Sequence, residues 1–577
     1  MPPRKKRPQA KTRSAKQQTR HPDSGANKPE RLDLLVIGGG ISGASILYDA
    51  TQRGLTSLLV EKSDFASGTS QASSRLIHGG LRYLQNMEFG MVRESLRERR
   101  NLGRLAPHCI RPLGFLFAKQ RGRGTSLALV RIGLWLYDLL SFDRNRRIHQ
   151  RLHLPRSRYL SPAACVAQEF RLPVHQLTGG VLYYDYQNQS PERFTWEFIQ
   201  AAQQKGGRAW NYCKLDSLEY DPTSGLYTAV IARSQTKDQI TVQSRSVINA
   251  AGPWADIVQR LTQGSQSHTR IQRSMGIHIV TRKIAQDHCV VLMRPDGRHL
   301  FIIPWHNRSL IGTTDALYTG HPDDFRVTRA DIAGLIADVN EAWPMANLEL
   351  NDVLYYYGGL RPLVEAENTA HAPGDDDKKG SYGASRRMEI EDHGKDGLPG
   401  FITVLGGKYT TSRLLAEKSI DLICRHLGVA ATCQTLAQPL PGGDYQDIQD
   451  LTAVHQARFG HLATKQQLAV LTGRYGALVP EIMATGLPSA LQTLECAAAN
   501  GDIYYARELL WIIQNESVYN VSDLLLRRTN LGFFGDPGAV CQKNLLRLFA
   551  HTHQWGPAEL RRARSEWQAL YLLPPEA

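Results

Sequence analysis

The sequence predicts an α/β protein that opens with a Rossmann-like dinucleotide-binding unit, continues into a sheet not built from βαβ repeats and ends in a helical region. Three observations predict it. Residues 32–62, LDLLVIGGGISGASILYDATQRGLTSLLVEK, place a glycine-rich turn between strand-like and helical patterns. TAVIARS (228–234), IHIVTRK (277–283) and LFIIPW (300–305) are strand-like, with turn signals between them and no βαβ repeat. Beyond about residue 445, ALQTLECAAAN and YYARELLWIIQNE carry apolar residues at helical spacing.

The first unit is the most specific. Leu32 to Ile37 reads as a strand, about Ile41 to Gln52 as a helix ended by Gly54, and Thr56 to Val60 as a second strand. Gly38, Gly40 and Gly43 give G-x-G-x-x-G, and Glu61 stands about twenty residues beyond. The first glycine permits a tight turn, the second admits pyrophosphate to the backbone, and the third lets helix and strand pack closely. The helix N-terminus offers free N–H groups to phosphate, and Glu61 is placed to accept from ribose hydroxyls. A glycine turn that only closes a βα unit is the bland alternative; the agreement of strand, helix, strand and acid favours a dinucleotide.

A chain of 577 residues, 42% hydrophobic and 8% aromatic, is long for one domain. No apolar run of about eighteen residues exists, which argues against a membrane-crossing helix. Eight cysteines without a C-x-x-C pair suggest neither a disulfide framework nor a metal site, and fit a reducing compartment. The net charge is +15. Residues 1–31 hold ten Lys or Arg against Asp23 and Glu30, a balance of +8. With almost no apolar side chains, this tail is expected to be disordered. It lacks the apolar segment of a secretory signal. It is either a solubilising extension or a segment attracted to anionic lipid or nucleic acid.

A second tract, FASGTSQASSRLIHGGLRYLQ (65–85), is rich in Gly, Ser and Thr and then carries Arg75, His78, Arg82 and Tyr83. Small residues let backbone approach a flat ligand, and the basic residues behind them can face an anionic substrate. By spacing alone, it is equally a loop entering a helix.

Together, GGGISGA and TSQASSRLIHGGLRYL resemble the FAD-dependent glycerol-3-phosphate dehydrogenase family of bacterial respiratory and mitochondrial type. The resemblance continues in order through SVINAAGPWAD (246–256), FIIPW and IGTTD (301–305, 311–315), GGLRPL (358–363), LGGKYTTSR (405–413), LPGG (440–443) and DLLLRRTNLGF (523–533), covering about residues 32–550. It implies an FAD-binding domain assembled from discontinuous segments, with an interleaved antiparallel-sheet substrate domain over 32–430 and a helical C-terminal domain over 440–555.

The implied activity is oxidation of sn-glycerol 3-phosphate to dihydroxyacetone phosphate by hydride transfer to FAD, with electrons passed to a quinone. The rival readings are an oxygen-using glycerol-3-phosphate oxidase and a related FAD oxidase of an amino acid or 2-hydroxy acid. A purely nucleic-acid-binding role rests on the tail alone, and no nucleic acid is expected. By resemblance, Thr69, Ser70, Ser74, His78, Gly79, Gly80, Gly252, Gly406, Gly407, Lys408 and Thr410 join the glycines and Glu61 at FAD. Arg82, Arg361 and Lys408 face the substrate, aided by Tyr83, Thr313 and Thr314. Arg suits a phosphate dianion because its fork is bidentate. His278 is the candidate base and His78 its rival; a structural histidine is the bland reading for either, as a fold-stabilising cation is for each Arg or Lys.

Three departures from the family pattern stand out: Ser190-Pro191-Glu192-Arg193 within 183–194, Met275 before Gly276, and a charged insertion at 367–385. SLALVRIGLWLYDLLSF (126–142) reads either as a buried helix or as an interfacial one seated by Trp135 and Tyr137. The expected location is the cytoplasmic face of the inner membrane, held peripherally, or otherwise the cytoplasm. A homodimer is among the expected assemblies.

Overall fold

The computed structural model describes residues 30–84, 87–122, 126–172, 177–262, 271–293, 299–364 and 388–576. The insertion at 367–385 lies outside the described residues, as does the tail up to residue 29.

A six-stranded sheet carries the glycine turn. Its order is Met388–Asp392, Phe401–Gly406, Val247–Asn249, Leu34–Ile37, Ser57–Val60 and Arg208–Trp210. The pairings are parallel except that of 388–392 with 401–406. Strands far apart in sequence are therefore neighbours, and the Rossmann-like unit is discontinuous. Helix Ile41–Gln52 packs between helices Pro191–Gln204 and Ser412–Leu427. Its Arg53 pairs with Asp49 at 2.7 Å, with both side chains fully buried, and reaches Asp421 of the neighbouring helix.

A ten-stranded sheet forms the second body. Its long central pairs are Ile110–Gln120 with Leu177–Asn188 and Ile271–Thr281 with Val353–Val364, both antiparallel. Cys289–Met293 runs parallel to Ile110–Gln120, so the sheet is antiparallel with one parallel pair. The C-terminal helices, among them Ala506–Asn515, Gly538–His553 and Pro557–Leu570, share one apolar core with this sheet. Phe533 and Phe534 reach Trp305 at 5.6 and 4.7 Å between ring centres.

Two sequence expectations need correction. Glu30 and Arg31 are not part of a disordered tail. They begin a strand, Glu30–Leu32, paired in parallel with Val242–Ser244 at the edge of a four-stranded sheet. Their side chains are exposed, so composition concealed a strand that backbone pairing decides. ALQTLECAAAN is not a helix either. Glu495–Ala497 pairs with Ile503–Tyr505, joined by a turn through Gly501 at φ 95°. YYARELLWIIQNE does contain the expected helix, Ala506–Asn515.

The 126–142 stretch forms helix Leu127–Leu140, N-capped by Ser126. Leu134 and Tyr137 are buried, but Leu129, Ile132, Trp135, Leu139 and Phe142 are exposed, Trp135 to 64%. No helix among the described residues is long and apolar enough to cross a membrane.

Candidate functional site

A cavity of about 800 Å³ is lined by Gly38, Gly40 and Glu61 from the parallel sheet and by His278, Thr313 and Arg361 from the larger one. The glycine turn is built as its spacing requires. Gly38 has φ +107°, and a Cβ there would lie 2.5 Å from the Ala250 carbonyl oxygen. A Cβ on Gly43 would lie 1.9 Å from the Gly38 oxygen, so helix and strand approach as only glycine allows. Gly40 caps the helix, and Ser70 Oγ accepts from Ile41 N at 2.9 Å. Glu61 accepts from Gly39 N at 2.7 Å and Ser63 N at 2.8 Å, which fixes its carboxylate at the strand end.

The later motifs meet here. Thr69 Oγ1 donates to the Leu360 carbonyl at 2.6 Å, and Thr410 Oγ1 accepts from His78 N at 3.3 Å. Thr69, Ser70, Ser74, His78, Tyr83, Gly252, Gly406, Gly407, Lys408 and Thr410 all line the cavity. Gly79, Gly80 and Thr314 lie outside the lining. Gly79 N donates to Tyr137 Oη at 2.9 Å, and a Cβ on Gly80 would strike the Tyr83 ring at 2.5 Å. Thr314 Oγ1 accepts from Ile277 N at 3.0 Å, so it ties the connection at 313–315 to strand Ile271–Thr281. Arg82 sits in the short turn Leu81–Leu84, and its side chain lies outside the described residues.

His278 is buried, and its ring stacks on Tyr357 at 5.1 Å. Its Nε2 lies 2.9 Å from Ser74 Oγ, and its Nδ1 has no hydrogen-bond partner among the described residues. Burial first, then the charges of Arg361 and Arg75, push its pKa down to about 3. It is therefore a neutral proton acceptor near neutral pH. Arg361 Nη2 donates to Thr313 Oγ1 at 2.6 Å and to the Thr314 carbonyl at 3.1 Å. Its Nη1 donates to Ser274 Oγ at 3.1 Å and lies 3.4 Å from Asp315 Oδ1. Gly276 makes room for it: a Cβ there would lie 2.0 Å from Arg361 Nη2. Lys408 Nζ donates to Ser95 Oγ at 3.1 Å and stands 3.6 Å from the centre of the Tyr83 ring. Sequence reading missed Ser95, Ser274, Asp315 and Tyr357. Only Asp315 carried a signal, as the last residue of IGTTD.

The unusual residues at 190–193 are structural. Glu192 forms a bidentate pair with Arg75 at 2.8 and 3.0 Å, both side chains fully buried. The Arg75 guanidinium lies between Trp305 and Phe533, 4.2 Å from each ring centre. Arg193 pairs with Glu516.

Residues 33–411 match the family model of the FAD dependent oxidoreductases, and residues 433–560 match the C-terminal domain of alpha-glycerophosphate oxidase. The chain is 35% identical over 532 residues to a glycerol-3-phosphate dehydrogenase of Synechocystis, covering 88% of this chain and 92% of that one. It is 30% identical over 544 residues to an aerobic glycerol-3-phosphate dehydrogenase of Staphylococcus aureus, covering 92% of each. The chain belongs to the FAD-dependent glycerol-3-phosphate dehydrogenase family.

The solved glycerol-3-phosphate dehydrogenase of Bacillus halodurans, a complex with FAD, superposes with a TM-score of 0.71 at 26% identity, covering 94% of each chain. As a member of this FAD-dependent family, the protein takes FAD. Its residues fit that group on their own geometry. The turn at Gly38–Gly43 leaves no space for a Cβ at Gly38 or Gly43, a helix N-terminus faces the cavity, and the Glu61 carboxylate is fixed in the lining. FAD dependence also accounts for Gly406 and Gly407, both at positive φ, as a turn that brings backbone into the same cavity.

Proposed function

We propose that this protein oxidises glycerol 3-phosphate to dihydroxyacetone phosphate and hands the electrons to a quinone at a membrane surface. The observation that carries the first half is the convergence of a neutral buried histidine and two cations, Arg361 and Lys408, on one cavity. The names of the relatives support the substrate.

Bound FAD supplies the acceptor for the hydride from C2. The chain does the rest. Arg361 and Lys408 hold the phosphate dianion, by exchanging some of their bonds to Thr313, Thr314 and Ser95 for phosphate oxygens. His278 takes the C2 hydroxyl proton at Nε2, beside Ser74 Oγ. The arriving dianion offsets the charge of Arg361, one of the causes that hold the imidazole pKa down, and so raises the basicity of His278 when substrate is bound. Tyr357 and Ser74 keep the ring in place.

The quinone half of the reading draws its support from helix Leu127–Leu140. Leu129, Ile132, Trp135, Leu139 and Phe142 form an exposed apolar row, with Arg131, Arg144, Arg146 and Arg147 near it in the chain. Exposed apolar side chains with exposed Arg131, Arg146 and Arg147 close by in the chain suit peripheral seating on an anionic bilayer, at the cytoplasmic face of the inner membrane. The test is anaerobic reduction of the bound flavin by glycerol 3-phosphate, glycerol, lactate and amino acids, followed by reoxidation with a soluble quinone or oxygen. Selective reduction by glycerol 3-phosphate is expected. Reduction by an amino acid or lactate instead would replace the substrate, and faster reoxidation by oxygen than by quinone would make the protein an oxidase.

A further inference from the structure

The cavity has a side that neither the glycine turn nor the substrate wall explains. Lys62, next to Glu61, points its Nζ at Asp323 Oδ1 and at the ring of Trp254, 4.1 Å from the ring centre. Trp254 Nε1 donates to the same Asp323 oxygen at 2.8 Å. Trp254 also covers the loop behind it, since a Cβ on Gly68 would lie 3.5 Å from its ring. All three residues line the cofactor cavity, together with Pro322, Phe325 and Arg326.

The three come from different parts of the fold. Lys62 and Trp254 follow two strands of the parallel sheet, whereas Asp323 lies on a segment that leaves the larger sheet. That segment is anchored at both ends. Tyr318 Oη donates to the His321 carbonyl at 3.0 Å, and the Phe325 ring meets Tyr318 edge-on at 5.6 Å. Beyond it, the Thr328–Asp331 capping box starts helix Arg329–Ala342. His321 Nδ1 accepts from Asp323 N at 3.3 Å, which fixes the short turn that presents Asp323. A firmly based loop thus carries one carboxylate across the gap between the two bodies.

We propose that Lys62, Trp254 and Asp323 form a clasp that retains the dinucleotide: the cofactor leaves only when segment 321–326 lifts off Lys62 and Trp254. They are positioning residues, acting through closure of the cavity. The proposal rests on the flavin cavity and is independent of the substrate. The Lys62 and Asp323 side chains are 32% and 55% exposed, so the pair adds little equilibrium stability and is sensitive to salt. Its effect belongs in the rate of opening.

The experiment dilutes FAD-loaded protein and follows the return of free-flavin fluorescence, for wild type, Asp323→Ala and Asp323→Glu, at low and at 0.5 M salt. Asp323→Ala loses both the ion pair and the indole hydrogen bond, so release at low salt is expected to be about fivefold faster or more. Salt should speed release from wild type and leave Asp323→Ala nearly unchanged, while Asp323→Glu returns the rate to within about twofold of wild type. A packing defect alone would not show this salt pattern. Equal, salt-independent release from all three proteins overturns the clasp. If Asp323→Ala is recovered without flavin, wild type and Asp323→Glu decide, and salt-insensitive release from both overturns it. Flavin reduction by glycerol 3-phosphate is scored separately, so failure of the substrate reading leaves this result standing.

Discussion

Asp64 and Arg528 are 464 residues apart and meet in a bidentate ion pair at 2.8 and 2.9 Å, both side chains buried. Arg527 reaches the same carboxylate at 2.6 Å and also pairs with Asp523. The Arg528 guanidinium lies 4.9 Å from the Trp196 ring centre. Burial pushes the Asp64 carboxyl up, and Arg528 and Arg527 more than reverse it. The RR of DLLLRRTNLGF therefore fastens the helical C-terminal region to the turn beside the glycine-rich unit.

Asp64→Ala is expected to destabilise the protein by roughly 3–5 kcal/mol, because two buried cations lose a partner. Urea unfolding monitored by flavin release and by tryptophan fluorescence measures this. A cost below about 1 kcal/mol would mean that water reaches the cluster and the joint is not dry.

Arg361→Gln and Lys408→Met should weaken glycerol 3-phosphate while leaving the weak response to glycerol alone. Each lost charge-assisted contact is worth roughly 1.5–3 kcal/mol, or about ten- to more than a hundredfold in affinity. Stopped-flow reduction of the flavin against substrate concentration reads it. If discrimination between phosphorylated and free glycerol survives in both variants, the phosphate is held elsewhere.

Gly276→Ala tests the same site without removing a charge. Its Cβ would stand 2.0 Å from Arg361 Nη2 and 2.8 Å from Thr313 Oγ1, so the guanidinium must shift. We expect full flavin content with weakened substrate binding. Normal binding in the variant would show that the position of Arg361 is not critical.

His278 makes stability depend on pH. Its pKa is held down to about 3 in the folded protein, against an ordinary 6.5. The unfolded chain takes up the proton below about pH 6.5 and the folded one does not until about pH 3, so this stabilisation is present above that window and lost as pH falls through it. The slope from this one group is about 1.4 kcal/mol per pH unit. Comparing unfolding free energies of wild type and His278→Gln between pH 7 and 4.5 isolates it from other histidines. Parallel curves would mean that the imidazole takes up its proton over the same pH range folded and unfolded. In catalysis, Arg361→Gln should move the acid limb of flavin reduction to higher pH, since it removes one of the charges that depress the imidazole.

Ile132→Glu with Trp135→Glu should detach the protein from anionic vesicles. Burying one large apolar side chain contributes about 1.5–3 kcal/mol, so the pair should lower partitioning by about a hundredfold or more. Co-sedimentation at high salt measures the apolar part, which salt does not screen. Vesicle binding unchanged by both charges would assign the membrane contact to another surface.

The sequence by itself determined what is local. The glycine spacing, Glu61 at the strand end and the helix between them depend on neighbours within about thirty residues, and the structure has Leu34–Ile37, Ile41–Gln52 and Ser57–Val60 in that order. The ordered motifs determined the family, since matching segments must line one cavity. Tertiary structure alone decided the pairings. Ser74 meets His278 across 204 positions, and Glu192 meets Arg75 across 117, because strand register and burial set such contacts and no local pattern records them. Glu30–Leu32 became a strand through an edge whose free backbone groups needed a partner. For helix Leu127–Leu140, the apolar pattern was legible but its partner was not. Periodicity gives the faces of a helix, and only the packed fold shows that the face with Ile132 and Trp135 is left exposed among the described residues.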